Sequence, residues 1–558
     1  MRILLVYPPF LDNRIDETDI SAVPMGLYYI GALLSEHGHR VHLVNMYKPG
    51  AQITDILSFV DDVKPEIVGF SIVHANRWGG IDMAELVKKT DPAITTVFGG
   101  VGATFLWQQL LTHFTQIDYV VVGEGEYTFL YLIEALAGGP TKALSNIKGL
   151  AYRNGEKIIH TGPPDLIDDL DRLPDPARYF SFQHVAISRG CPQSCTFCGS
   201  PAFWGRRVRF HSVDYFVSQL RRLYEKGARF FYVSDDTFTL KKDLVLSVCQ
   251  AIIKENLPIT WAAISRVDLV DEEILYWMRR AGCIQISYGV ESGSGEIRKK
   301  LNKHISGKQI TQAFAQTIHH GIMARAYFIY GAPGETDATV QASLDLIDEI
   351  KPLSVVFYML SLFPGTALYH DYLKRSGKTD DIWLQRTEDV PWFETDPGLC
   401  QSAVMAFGRR LREFFYERLP DYATAHTLTD DPDFAAGNAD FYSRLAMTFT
   451  HGDYAADSRI KGKQQLAEAL YRRALLWHPD HRAFLGLGML YQRRGDSRAS
   501  LDILSQGLSR FPDSEPLNLC LGTTYLNLGL IDRARACFAR FPGSTQARQF
   551  LKECDRLS

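Results

Sequence analysis

The chain has 558 residues, of which 46% are hydrophobic and 22% are charged, and its formal net charge is -4 at pH 7. This length suggests roughly three or four domains with sizeable cores. The acidic balance argues against a nucleic-acid-binding protein, whose footprint is basic, and no apolar run approaches the ~20 residues of a membrane span. The nine cysteines show no pairing pattern outside one loop, which favours reduced thiols in the cytoplasm.

Residues 1–145 alternate short apolar runs with amphipathic stretches. Strands are expected at 3–7, 40–44, 67–72, 95–98 and 119–122. Helices are expected at about 25–37, 53–63, 80–89, 103–114 and 126–137. Five strands with intervening helices predict a doubly wound parallel sheet. Such a sheet binds its ligands at the carboxyl ends of the strands.

Glycines and polar residues stand where these strands end. His74 follows the third strand, Gly99 and Gly100 follow the fourth, and Gly123 and Glu124 follow the fifth. Glycines let a ligand approach the backbone closely, so we expect these five residues to contact a bound cofactor. A lone histidine is more often a structural residue, and a sheet that binds nothing is the alternative for the whole domain.

Residues 146–180 form a predicted linker. Strands at 149–153 and 156–160 are expected to make a hairpin around Asn154-Gly155, because that pair suits a type I' turn in which both residues have positive φ. A proline-rich, acidic stretch over 163–176 is then predicted to be a spacer.

The strand and helix alternation resumes in a predicted core domain over 181–375. Strands are expected at 185–188, 230–234, 260–264, 285–290, 324–330 and 354–360. Six such units predict a partial parallel (β/α)6 barrel. The loop after the first strand therefore lies on the face where barrel active sites are built.

That loop, residues 188–199, is named the cysteine loop. It holds Cys191, Cys195 and Cys198, separated by three and then two residues. The spacing predicts three thiolates on one iron-sulfur cluster, which normally has four cysteine ligands. The missing fourth leaves one iron with the open position typical of catalytic metal sites. A zinc knuckle is the alternative, but the nearest histidines, His184 and His211, fit no usual ligand spacing.

The ends of the later barrel strands carry polar groups or glycine. Carboxylates suit an ammonium group, and a guanidinium suits a carboxylate through its two-pronged geometry. Plain loop and capping roles are the alternative, since such residues are common in loops. The candidate cofactor-binding residues, in chain order, are Ser234, Asp235, Asp236, Arg266, Glu291, Ser292 and Gly331.

The last part of the chain is predicted to be helical, with an extension over 376–455 and repeats over 456–558. Gly488 and Gly522, like Tyr491 and Tyr525, are 34 residues apart, and a 34-residue period predicts paired helices that stack on one another. The repeats are expected either to bind a partner protein or to serve as a stabilising appendage.

The cysteine spacing, with Phe197 before the last cysteine, resembles the radical S-adenosylmethionine (SAM) superfamily. The resemblance implies a 4Fe-4S cluster whose open iron binds SAM and whose electron cleaves it to a 5'-deoxyadenosyl radical. It also implies that Ser234-Asp235-Asp236 contacts the methionine amine, although the common Gly-Gly-Glu is absent there. Glu291 would hold the ribose hydroxyls, and Gly331 would lie near the adenine.

The first domain resembles the cobalamin-binding domain that precedes many radical SAM cores, through 24–27, 99–100 and 118–126. It lacks the Asp-x-His-x-x-Gly run that ligates cobalt elsewhere, so cobalamin could bind without a protein imidazole. His74 is the candidate to approach the cofactor. The last hundred residues resemble the tetratricopeptide repeat.

Together these resemblances imply a cobalamin-dependent radical SAM enzyme, of the type called class B, that methylates an unactivated carbon. A radical cyclase or rearrangement enzyme of the same group is one alternative, and a cobalamin- or partner-binding sensor is another. The expected partners are a substrate and an electron donor such as flavodoxin or ferredoxin. The sequence names neither the substrate nor the oligomeric state.

Overall fold

A computed structural model describes residues 1–11, 24–47, 51–138, 143–386, 390 and 392–557. The chain divides into two compact units. The first comprises Met1–Ile310, Ala326–Ser343 and Val356–Gly408, and the second comprises Thr311–Arg325, Leu344–Val355 and Arg409–Ser558. The five-part domain division drawn from the sequence stays a prediction.

Fifteen strands occur in the described residues. In chain order they are β1 (Arg2–Tyr7), β2 (Arg40–Asn45), β3 (Ile67–Ser71), β4 (Thr95–Gly99), β5 (Tyr119–Val121), β6 (Leu150–Asn154), β7 (Lys157–His160), β8 (His184–Val185), β9 (Ser188–Arg189), β10 (Arg209–Phe210), β11 (Phe230–Val233), β12 (Thr260–Ser265), β13 (Cys283–Glu291), β14 (Met323–Tyr330) and β15 (Ser354–Met359).

The α-helices of the described residues follow the same order. They are α1 (Met25–Glu36), α2 (Asp55–Val63), α3 (Arg77–Thr90), α4 (Gly100–His113), α5 (Glu126–Leu136), α6 (Ser200–Trp204), α7 (Val213–Glu225), α8 (Lys242–Lys254), α9 (Glu272–Arg280), α10 (Gly295–Lys300), α11 (Gly307–His319), α12 (Asp337–Ile350), α13 (Ala367–Ser376), α14 (Gln401–Ala425), α15 (Ala435–Thr450), α16 (Lys463–Trp477), α17 (His481–Arg493), α18 (Ser497–Arg510), α19 (Glu515–Asn527), α20 (Ile531–Ala539) and α21 (Thr545–Leu557). None of the described helices is long and apolar enough to cross a bilayer.

The first sheet has the strand order β2-β1-β3-β4-β5-β6-β7. Its first five strands pair in parallel, as the sequence predicts, and β1 is an almost unbroken buried run because helices cover both faces of such a sheet. The predicted hairpin forms β6 and β7, but it extends this sheet as two antiparallel strands. Residues 146–160 are therefore more than a connector.

The turn of this hairpin differs from the expected one. Asn154 pairs with Lys157 at the end of the strands, so the two central residues are Gly155 and Glu156. Gly155 has φ +61°, whereas neither Asn154 nor Glu156 has a positive φ. The prediction of positive φ at both Asn154 and Gly155 is wrong, because the register places Asn154 inside the strand.

The second sheet has the order β15-β14-β13-β12-β11-β8, and the pairs β8–β11, β11–β12 and β12–β13 are parallel. The partial (β/α)6 barrel is confirmed. Its first strand is shorter than predicted, because the chain leaves the sheet after Val185 and the Ile187 N–H instead donates to Asp235 Oδ2 at 3.1 Å. Ser188 and Arg189 then pair antiparallel with Arg209 and Phe210.

Both sheets of the first unit contribute to one hydrophobic core. Phe70 of β3 and Phe98 of β4 belong to the same buried cluster as Leu301, Ile329 of β14 and Trp383. Their side chains are between 0% and 8% exposed. The first sheet and the barrel therefore share one core, which fixes the positions of their strand ends relative to each other.

The second unit is all helical in its carboxyl-terminal part, as predicted. A Cβ atom on Gly488 would lie 2.5 Å from the Leu504 side chain, and one on Gly522 would lie 2.4 Å from the Phe538 ring. Gly522 follows Gly488 by 34 residues, and Phe538 follows Leu504 by 34 residues. The helix pairs α17–α18 and α19–α20 therefore pack in the same way. The assignment to the tetratricopeptide family stays a prediction.

Candidate functional site

The cysteine loop begins with β9, ends before α6 and is held by the chain around it. Gly190, which precedes the first cysteine, has φ +101°, a conformation that favours glycine, and the Cys198 N–H donates to Cys195 O at 3.2 Å. Thr196 N–H donates to Leu301 O, and Thr196 O accepts from Leu368 N–H, each at 3.0 Å. These bonds fix the backbone between Cys195 and Cys198.

The thiols are half-buried and fit an iron-sulfur cluster. Burial raises the pKa of Cys195, against the opposing charges of Lys303 and Arg266, and raises the pKa of Cys198 to about 11, so metal must displace protons to bind. No three His, Cys, Asp or Glu side chains of the described residues are grouped to hold a single metal ion. A cluster has no such need, because each cysteine ligates a different iron.

A cavity of about 680 Å³ lies next to this loop. Cys198 lines it together with the carboxyl ends of both sheets, including His74 and Gly100 from the first and Ser234 and Asp236 from the second. Most of the remaining lining is aromatic or apolar, from Tyr7, Phe10, Met25, Phe105, Phe203, Trp204 and Phe363. One cavity thus joins the cysteine loop to the carboxyl-end edge of the first sheet.

A second cavity of about 90 Å³ runs from the same edge into the first sheet. Gly99, Gly100, Gly123 and Glu124 all line it, as does Gly26. A Cβ atom on Gly26 would meet nothing within 4 Å, whereas one on Gly100 would lie 2.7 Å from Ile72 O. Gly26 thus leaves open space at the junction of the two cavities, whereas Gly100 is required by close packing on Ile72. The mostly apolar lining is compatible with a corrin ligand such as cobalamin.

His74 lies in the wall of the larger cavity. Its ring is 4% exposed and lies among the rings of Trp383, Phe363 and Phe105, with centroids 5.1, 5.4 and 6.3 Å away. Burial, assisted by Arg77, lowers its pKa to about 3, and its Nε2 has no hydrogen-bond partner among the described residues. The ring is therefore neutral, and its contact with a cofactor stays a prediction.

The three polar residues after β11 have different surroundings. Asp235 is 1% exposed and accepts hydrogen bonds from Ser188 Oγ and the Ile187 N–H, while burial raises its pKa to about 7. Asp236 and Ser234 line the cavity instead. Asp236 accepts from Ser200 Oγ at 2.5 Å. Asp235 is thus placed to brace the cysteine loop, and Asp236 is placed to meet a ligand.

The remaining candidates lie at successive strand ends with internal partners. Arg266 makes a two-pronged pair with Asp268, at 2.9 and 3.0 Å, and Glu291, at φ +66°, accepts from Lys303 Nζ at 2.9 Å. Ser292 Oγ accepts from Ser294 N–H, and Gly331 N–H donates to Glu335 Oε2. Their roles toward a cofactor stay predictions.

Sequence reasoning missed the ion cluster beside the cysteine loop. Arg189 donates to Glu124 Oε1 at 2.8 Å and to Glu126 Oε1 at 2.7 Å, and Arg209 donates to both oxygens of Glu124. Burial raises the pKa of Glu124, but the hydrogen bonds from Arg209 and Arg189 outweigh it, so this pKa lies below its usual value. Glu124 was predicted to touch a cofactor, and its carboxylate is held by these arginines.

Two family profiles match the chain. The radical SAM superfamily matches residues 185–347, and the B12 binding domain matches residues 17–133. The chain belongs to the radical SAM superfamily, in the group whose members carry a B12-binding domain before the radical SAM core. The predicted family, fold class and cofactors, namely a 4Fe-4S cluster, SAM and cobalamin, are thereby confirmed.

Individual relatives agree with this membership. An uncharacterized methyltransferase of Pyrococcus horikoshii is 32% identical over 381 residues, which cover 66% of this chain and 82% of that protein. An anaerobic magnesium-protoporphyrin IX monomethyl ester cyclase of Rubrivivax gelatinosus is 28% identical over 389 residues, covering 66% and 70%. The radical SAM methyltransferase TsrM of Kitasatospora setae shares the fold, with a TM-score of 0.61 at 17% identity over 84% of this chain and 99% of that one.

Proposed function

We propose that the protein is a cobalamin-dependent radical SAM enzyme that transfers a methyl group to an unactivated carbon. The observation that carries this proposal is the cavity of about 680 Å³, which is lined both by Cys198 and by the carboxyl ends of the strands in the first sheet. A methylation that uses two cofactors needs both beside the same substrate carbon. The methyltransferases among its relatives support the same reaction class.

The chain's own residues would hold and shield these cofactors. The three cysteines would bind the cluster, Asp236 and Ser234 would receive the methionine ammonium of SAM, and the glycines of the first sheet would receive cobalamin. When bound, the cluster with SAM supplies a hydrogen-abstracting 5'-deoxyadenosyl radical, and methylcobalamin supplies the methyl group. The aromatic walls of the cavity would limit contact between water and a reactive species once the cofactors and substrate are bound.

Isotope transfer tests this proposal. Anaerobically reconstituted, reduced protein is incubated with SAM deuterated in its methyl group and with candidate substrates suggested by neighbouring genes. We expect a product that carries three deuterium atoms, together with 5'-deoxyadenosine and S-adenosylhomocysteine in equal amounts. Absence of a reduced 4Fe-4S signal by electron paramagnetic resonance would overturn the proposal.

A radical cyclase is the second candidate, because the cyclase of Rubrivivax gelatinosus aligns over 66% of this chain. The same incubation separates the two. A cyclase or rearrangement enzyme yields 5'-deoxyadenosine with no S-adenosylhomocysteine, and its product carries no deuterated methyl group.

Gly26→Leu is expected to weaken cobalamin binding by at least about tenfold. A steric clash that costs about 1.4 kcal/mol of binding free energy has this effect. A side chain at this helical position points into open space within both cavities, so it fills the binding space without disturbing the fold. Titration with hydroxocobalamin, followed by absorbance, measures the effect. Gly543→Leu is the matched control, because a Cβ atom there also meets nothing within 4 Å but lies in the second unit. Equal affinities for both variants would contradict the assignment of the cavity.

We further propose that a one-electron carrier such as flavodoxin or ferredoxin reduces the enzyme, and that the enzyme works in the cytoplasm. All nine cysteines are free thiols, which agrees with a reducing compartment. The repeats remain a proposed surface for a partner protein.

A further inference from the structure

We propose that Arg189 is a positioning residue that ties the cysteine loop to the loop at 123–126, which ends with the first residue of α5, so that cluster assembly and cobalamin binding strengthen each other. This inference rests on the proposed function, because it assumes that both cofactors bind. It adds an energetic link between the two cofactor sites.

Arg189 belongs to the cysteine loop and stands two residues before Cys191. Its two terminal nitrogens reach different carboxylates of the loop at 123–126, Nη1 to Glu124 and Nη2 to Glu126, at 2.8 and 2.7 Å. The Arg189 side chain is 9% exposed, and the two carboxylates are 1% and 4% exposed. The planar guanidinium can pair with both buried carboxylates only when the two loops hold one particular position relative to each other.

The loop at 123–126 is part of the wall that would receive cobalamin. Gly123, Glu124, Gly125 and Glu126 all line the smaller cavity in the first sheet. Gly123 has φ +77°, and the Glu124 carboxylate also accepts from Ile167 N–H at 2.9 Å. A ligand that presses on this loop therefore acts on the partners of Arg189.

Two aromatic rings complete the surroundings of Arg189. Its guanidinium carbon lies 5.1 Å from the Tyr29 ring centroid and 5.3 Å from that of Trp204, distances typical of cation–π contacts. Both rings line the larger cavity, and Trp204 belongs to α6, which directly follows the cysteine loop. Arg189 thus contacts residues that line both cavities. It also contacts Trp204, which follows the three cysteines in the chain.

Moving one loop without the other would leave buried charges without partners, which is strongly unfavourable. Ordering of either loop by its cofactor therefore favours the bound geometry of the other. Such a coupling is reciprocal and is commonly worth a factor of about 5 to 150 in affinity. Arg189 carries it because it alone pairs with carboxylates on both sides of Gly125 in the described residues.

The test compares hydroxocobalamin affinity, by absorbance titration, for metal-free and cluster-reconstituted protein. We expect the native chain to bind about tenfold more tightly with the cluster in place. In Arg189→Lys the two affinities become equal, because a lysine ammonium is a point charge that cannot span two carboxylates. Glu126→Gln, which removes one of the two carboxylates, lowers the ratio and serves if Arg189→Lys fails to fold.

Arg207→Lys is the matched control, since Arg207 pairs with Asp168 at 2.8 Å but both side chains are 74% exposed. It should keep the native ratio. A residue that only stabilises the fold would weaken binding equally in both forms and leave the ratio unchanged, so an unchanged ratio in Arg189→Lys overturns the inference. Equal affinities in the native chain overturn the coupling alone, whereas no binding in either form overturns the proposed function as well.

Discussion

Cys195→Ala is expected to abolish both the 4Fe-4S cluster and the reductive cleavage of SAM. In the proposed site each of the three thiolates would ligate its own iron, and a cluster bound by three cysteines has no protein ligand to spare. Within the described residues, no group of three or more His, Cys, Asp or Glu side chains is arranged to hold a metal ion that could replace the cluster. Iron content after anaerobic reconstitution, the resonance signal of the reduced cluster, and the yield of 5'-deoxyadenosine measure the loss.

Cys400→Ala is the matched control for this change. Cys400 is an exposed free thiol outside the cysteine loop, where its sulfur lies 3.2 Å from Ser402 Oγ. We expect full cluster content and full SAM cleavage in this variant. Retention of a normal cluster signal in Cys195→Ala would show that the cysteine loop is not the cluster site. Biological activity that survives the loss of the cluster in Cys195→Ala would instead favour a cobalamin- or partner-binding sensor.

Much of this organisation could be predicted because the signals are local. Cys191, Cys195 and Cys198 lie within one loop, and the strand ends are marked by residues such as Gly99 and Glu291 that interrupt apolar runs. Strand and helix alternation then implies which end of each sheet carries the site. These inferences need only the order of residues along a short stretch of chain.

What the sequence could not predict depends on contacts between distant segments. Arg189 and Glu124 are 65 residues apart, and neither has a local pattern that points to the other. Asp235 and Asp236 are neighbours, yet one braces the chain at Ser188 while the other faces the cavity. The direction of each of these two side chains is set by tertiary packing, which the local sequence does not reveal. The place of the hairpin in the first sheet was missed for the same reason, because its partner is β5, the last of the parallel strands.

Glu124→Ala is expected to lower the free energy of unfolding by about 3 to 5 kcal/mol. The Glu124 side chain is 1% exposed and pairs with Arg209, which is 2% exposed, at 2.7 Å as well as with Arg189. Arg189 keeps Glu126 after the change, but Arg209 loses its carboxylate and remains a buried charge. Urea unfolding of the metal-free chain, followed by tryptophan fluorescence, measures the difference.

Asp168→Ala sets the scale for this loss, because it removes the carboxylate of an ion pair with Arg207 in which both side chains are 74% exposed. Exposed pairs are worth about 0 to 1 kcal/mol. A loss in Glu124→Ala no larger than in Asp168→Ala would mean that water reaches the buried arginines and solvates them. Both changes delete the carboxylate of an arginine pair, one buried and one exposed, so their contrast measures the effect of burial. The loss is severe only where the remaining guanidinium has no access to solvent.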